Sequence, residues 1–150
     1  MGDRFLRLLL SGIAAAYFFA STSALAENPP LQLVMVTSAH SRIEALSRLM
    51  LRKIYLGLPS GVSSQSIHPL INQSNWMLHE VFLQKVLFMS KKAYERHLRH
   101  TKFSSNTVLP VAYRSEARLI EYLNAHPDSI TFLTEQTAAQ LPSVRVVTRL

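Results

Sequence analysis

Two hydroxyl- and amide-rich segments are the places where this sequence could do chemistry: Thr37-Ser38-Ala39-His40-Ser41 and Asn72-Gln73-Ser74-Asn75. Each follows an apolar run and precedes residues with helical periodicity. A helix start carries about half a positive charge and several unpaired N–H donors, so such a segment suits a small anion. The competing role is capping, in which a serine only satisfies the first turn of its own helix. His97 and His100 stand at i,i+3 and could offer a metal two nitrogens, but a site needs three or four ligands and no third is in view. A solvated basic face is the simpler reading of that stretch. Serines, histidines and acids are all present, yet no nucleophile-elbow motif accompanies them. Glu44, Glu80, Glu95, Glu116 and Glu121 are spaced as helix-surface charges. Neither catalysis nor a resident cofactor is expected.

The elements that must position these groups alternate in type. Leu31 to Val36 is a short apolar run after Pro29-Pro30 and reads as a buried strand. Thr37 to Ser41 then forms a turn, with Ser41 and Glu44 as a capping box for a helix carrying Ile43, Leu46, Leu49, Met50 and Ile54 inward. Gly57 and Pro59 end that helix. Pro59 to Ser66 reads as a loop, and Ile67 to Ile71 as a strand that Pro69 assigns to a sheet edge or a bulge. Trp76 to Met89 is so densely apolar that its helix should be buried on most sides, with Trp76, Phe82, Phe88 and Tyr55 as core or cleft wall. A second helix runs from Lys91 to about Lys102, and Ser104 to Pro110 is a polar loop. Ser115 caps a helix that turns Ala117, Ile120 and Leu123 inward. Ile130 to Leu133 is a strand, Glu135 to Gln140 a short helix, and Val144 to Val147 the last strand. The alternation indicates an α/β layer fold.

The first 26 residues have the form of a secretory signal. Arg4 and Arg7 precede an uncharged run from Leu8 to Ala20, and Ala24-Leu25-Ala26 predicts cleavage after Ala26. The alternative is a retained N-terminal anchor, for which the run is short. Residues 27–150 then form one domain in the periplasm or another exported location. Cysteine is absent, which excludes disulfides, thiolate catalysis and cysteine-ligated metal. The chain has 16 Lys+Arg against 9 Asp+Glu; without Arg4, Arg7 and Asp3, 14 and 8 remain, a net charge of about +6. That balance favours phosphate-like solutes, anionic lipid heads or cell-wall polymers. Nucleic acid is not expected for an exported chain. Lys91, Lys92, Arg96, Arg99 and Lys102, with both histidines, form a basic helix suited to an anionic membrane surface or polymer.

The order of landmarks is informative in its own right. Leu31 to Val36 and its Ser/Thr turn are followed by Ser47-Arg48…Ile54-Tyr55-Leu56-Gly57 and then by Phe82…Val86-Leu87…Ser90. Pro110…Ser115, Pro127-Asp128-Ser129-Ile130 and the closing Val144-Arg145-Val146-Val147 complete the series. This order resembles the short, single-domain members of the phosphate ABC transporter substrate-binding family. The resemblance implies a type II periplasmic-binding-protein-like α/β fold, here a single lobe with a mixed sheet flanked by helices. It also implies capture of phosphate or a similar oxyanion by hydroxyls and amides at helix starts facing one cleft. Thr37, Ser38, Ser41 and Ser74 are the contacts it points to, with Arg42 or His79 as charge partner. Ser104 to Thr107 and Ser115 are weaker candidates. Full-length phosphate receptors place an Arg ahead of a Ser-Gly-Thr turn; here Ser74 is kept, the Gly and Thr are missing, and the nearest upstream basic group is His68. His79 stands where short relatives carry an Arg. A transporter or other envelope protein is the implied partner. The alternative reading is an interaction or sensor-accessory module that keeps the fold, binds no ligand and works through the basic helix.

Overall fold

The computed structural model describes residues 31–60, 67–103 and 108–150. The signal segment, most of the loop at 59–66 and the candidates at 104–107 lie outside those residues. Among the described residues are five strands and five α-helices, alternating except where α3 follows α2: β1 Leu33–Ser38, α1 Arg48–Tyr55, β2 His68–Asn72, α2 Trp76–Phe82, α3 Lys91–Thr101, β3 Val111–Tyr113, α4 Glu116–Ala125, β4 Ser129–Thr134, α5 Glu135–Gln140 and β5 Val144–Arg149. The strands form one mixed sheet in the order β3-β2-β4-β1-β5. β2 runs parallel to β3 and β4, whereas β1 runs antiparallel to both of its neighbours. Four strands therefore share one direction, and β1 opposes them.

Helices cover both faces, which explains why β1 is an unbroken apolar run rather than an alternating one. Leu33 and Met35 face Leu51, Tyr55, Phe82 and Tyr94 on the α1–α2–α3 side. Val34 and Val36 face Leu119, Leu123 and Ala138 on the α4–α5 side. The α/β layer fold anticipated from the sequence is the one observed.

Several boundaries differ from expectation. α1 begins at Arg48 with Ser47 as its cap, the Ser47 Oγ accepting from the Met50 N–H, so Ser41 and Glu44 form no capping box. The segment before it is held to β5 instead. Arg145 donates to the carbonyls of Ser41 (3.1 Å) and Ile43 (2.7 Å). Thr148 takes the Leu46 N–H at 3.2 Å and donates to its carbonyl at 2.8 Å. A helix would use those backbone groups internally, so the chain stays irregular while Ile43 and Leu46 are still buried. Leu49, expected inward, is exposed. Gly57 ends α1 as predicted: at φ 67° it lets the Leu58 N–H reach the Lys53 carbonyl at 2.8 Å.

The dense apolar stretch after Trp76 is not one α-helix. It passes into a π-helical turn over Leu83–Leu87 and stops at Phe88, a left-handed residue with φ 54°. The wider turn brings Leu83, Val86 and Leu87 all into the core. Trp76 and Phe88 are exposed rather than core or cleft wall, because the sheet-facing side of the stretch is filled by Leu78 and Phe82. α4 buries Leu119 and Leu123, whereas Ala117 faces solvent. β2 is an interior strand, not an edge; Pro69 fits because β3 pairs only from Leu70 onward. β3 itself was unforeseen.

Candidate functional site

Strand direction decides which of the predicted residues can meet. Ser38 at the end of β1 pairs with Val144 at the start of β5, whereas Leu33 pairs with Thr134 at the end of β4. The Thr37–Ser41 segment thus lies at the amino edge of the four codirectional strands, and Asn72–Asn75 lies at their carboxyl edge. A strand of this length separates them by about 17–20 Å. The expectation of two segments facing one cleft is corrected: β1 runs antiparallel, so its carboxyl end points away from that of β2.

At the amino edge the hydroxyls are occupied by the fold. Thr37 and Ser38 are the last residues of β1 and fully buried, not turn residues. Thr37 Oγ1 donates to the Ser129 carbonyl at 2.8 Å, and Ser38 Oγ accepts from the His40 N–H at 3.4 Å. Ser41 Oγ accepts from the Ile43 N–H at 3.1 Å, and Arg42 is exposed beside it. His68 sits on the same side, 3.4 Å from the Asp128 carboxylate.

The carboxyl edge is built differently. Backbone pairing of β2 with β4 stops after Pro69 and Ile130. Beyond that point side chains hold the two strands. The Tyr55 hydroxyl lies 3.1 Å from the Leu70 carbonyl and 3.2 Å from that of Ile130. Thr131 donates to the Leu70 carbonyl at 3.0 Å, and Asn72 Nδ2 donates to the Phe132 carbonyl at 3.3 Å. The gap falls where the strand order reverses: β2 leads into α2 on one face and outward to β3, while β3 leads into α4 on the other face and back to β4. Ligands of open α/β sheets sit at such reversals, outside the carboxyl ends.

Asn72 shapes this edge. It is fully buried, and its Oδ1 accepts from both the N–H (3.0 Å) and the hydroxyl (2.6 Å) of exposed Ser74. Asn75 caps α2 by accepting from Met77 and Leu78. The Trp76 N–H, also in the first turn, has no intrahelical acceptor. Gln73 donates to the Tyr113 carbonyl at 2.8 Å, which ties this turn to the start of α4, where Ser115 caps Arg118. Further along, Glu135 is paired with Arg149 at 2.9 Å.

His79 lies on the buried side of α2, its ring nearly parallel to that of Phe132 at 6.5 Å between centroids. Its Nε2 has no hydrogen-bond partner. Burial pushes its affinity for a proton down; Glu80 and Glu95 oppose that shift, and Lys91 adds to it. Of the two expected charge partners, only His79 lies on the helix that follows the Ser74 turn.

His97 is structural: Nε2 donates to the Leu56 carbonyl at 2.8 Å, tying α3 to the end of α1. Among the described residues no three potential metal ligands cluster. An open cavity of about 330 Å³ lies between β3 and α4, lined by Tyr113, Arg118, Glu121, Tyr122, Ala125 and His126. Sequence reasoning passed over Asn72 as part of a polar turn. The signal available was an Asn closing an apolar strand two residues ahead of a Ser, the pattern of an Asx turn.

No family model matches the chain, and no curated protein does. Solved structures do. An ABC-type phosphate transport receptor from Vibrio cholerae superposes with a TM-score of 0.53 at 14% identity, over 78% of this chain and 45% of the receptor. A protein described as a possible phosphate binding protein from Planctomyces limnophilus gives 0.52 at 13%, over 77% and 40%. The fold is shared with these proteins, and the chain spans less than half the length of either.

Proposed function

We propose that this chain is an exported, non-enzymatic solute-binding protein that takes a small oxyanion, phosphate in the first instance, at the carboxyl edge of its sheet. The observation that carries this reading is the end of backbone pairing between β2 and β4 after Pro69 and Ile130. Backbone pairing is given up there, and a buried asparagine holds an exposed serine and a helix start beside the gap. The Trp76 N–H is the proposed donor, joined by the Ser74 hydroxyl when an anion draws it away from Asn72 Oδ1, with His79 on the buried side of the same helix. The fold it shares with proteins described as binding or transporting phosphate supports the same class of ligand. Thr37, Ser38, Ser41 and Arg42 lie too far away to contribute to that site. Delivery to a transporter in the envelope is the role such binding would serve.

Thermal unfolding at low ionic strength, titrated with phosphate and separately with sulfate, tests this. A ligand at 100 times its Kd adds about 2.7 kcal/mol, a shift of several degrees for a domain of this size. The expected result is a saturable shift with phosphate that Ser74→Ala removes. Equal, unsaturable shifts with both salts, or none, would reject the site.

A further inference from the structure

We propose that the solvent face of α3 is a docking surface for an anionic lipid bilayer, separate from the solute site. α3 buries Tyr94 and half-buries Leu98, His97, Ala93 and Thr101 against its own domain. The opposite side presents Lys91, Lys92, Arg96, Arg99 and Lys102, all exposed, with Glu95 as its one acid. Lys92, Arg96 and Arg99, at i, i+4 and i+7, form the centre of that face. None of these cations lies within ion-pair distance of a carboxylate among the described residues, where the Arg–carboxylate pair is Arg149–Glu135 and His68 lies 3.4 Å from Asp128. Unpaired cations on one face leave their attraction to an external negative surface undiminished.

The charge alone would suit any polyanion. The apolar residues at the two ends of the helix select the bilayer. Phe88, three residues before α3, is 68% exposed, and Phe103, two residues after it, is 88% exposed. Phe88 is held out by its left-handed backbone, with the Arg52 guanidinium 5.5 Å from its ring centre. A soluble polyanion rewards the cations and not the rings. An anionic bilayer rewards both, because cations sit among headgroups while rings enter the acyl boundary. Eleven residues give a helix about 16 Å long, enough to lay several charges on the surface at once.

The test is flotation of the full chain with vesicles of phosphatidylglycerol and phosphatidylcholine, against phosphatidylcholine alone. Every variant keeps residues 1–30, so any contribution from them cancels. Binding to the anionic vesicles should be lost in high salt. It should fall at least about 100-fold in the triple reversal K92E/R96E/R99E, at roughly fivefold or more per charge. F103A should weaken it by about threefold to tenfold with the charge unchanged. The unfolding midpoint and the phosphate response must survive in both variants, which separates this surface from the solute site. Equal binding to neutral vesicles, or indifference to the triple reversal, overturns the proposal. Full retention of binding in F103A, with loss in the triple reversal, overturns the bilayer in favour of a soluble polyanion.

Discussion

The turns after β1 and β2 have similar compositions and opposite fates. Thr37, Ser38 and Ser41 close a strand hydrogen-bonded on both sides, and their hydroxyls serve the backbone around them. Ser74 follows a strand whose pairing with β4 has already ended, and it stands exposed on a buried Asn72. The difference lies in the sheet, not in the turns. Where the ladder is complete, a hydroxyl at a strand end bonds to the buried or half-buried backbone; where it ends, the serine stays at the surface with its hydroxyl bonded to the Asn72 side chain alone.

The strongest test of that contrast is Asn72→Ala. It removes the donor to the Phe132 carbonyl and the acceptor of Ser74 together, and should destabilise the protein by about 2–3 kcal/mol in denaturant unfolding while abolishing any phosphate response. Thr37→Val comes next. It leaves the buried Ser129 carbonyl without this donor, for a loss of about 1–2 kcal/mol, yet the phosphate-induced shift should be unchanged. A lost response in that variant would mean that the two edges are coupled.

His79→Phe is the smallest change in stability and the one that sharpens the comparison. An unpartnered buried nitrogen is a liability, so replacing it should leave stability unchanged or raise it by about 1 kcal/mol, while phosphate binding weakens. It should also flatten a pH dependence. Burial lowers the folded-state pKa of His79 below the ordinary histidine value of about 6.5, so the unfolded chain takes up the proton more readily. Stability conferred by the neutral ring is complete above that value and declines as pH falls below it. Unfolding curves of the two proteins between pH 8 and pH 5 should therefore diverge toward the acid side, with the wild type losing more.

Much of the architecture was legible because its signals are local. The run ending at Val36, Gly57 after Leu56, Ser90 and Ser115 at helix starts, and Glu135 to Gln140 as a short helix all depend on neighbours within one turn. What escaped depends on distant partners. Ser41 looked like a cap as good as Ser47, and only Arg145 and Thr148 of β5 keep residues 41–47 out of the helix. β3 has three residues and no buried side chain, so no pattern could mark it. The direction of β1 was invisible too, since an apolar run reads the same in a parallel or an antiparallel sheet, and with it went the placement of Thr37 to Ser41.

β1 also has a consequence in time. Its two neighbours come from the far end of the chain; Thr37 and Ser129 alone are 92 residues apart. A polypeptide emerging amino end first, from a ribosome or a translocation pore, therefore carries its most apolar strand unpaired until β4 and then Val144–Arg149 have followed. Loop closure on that scale is slow. The sheet cannot close around its middle before almost all of the described chain is free. Release of the last strand, rather than collapse of the first helices, then sets the moment of folding, and until that moment β1 is the segment most in need of protection from aggregation.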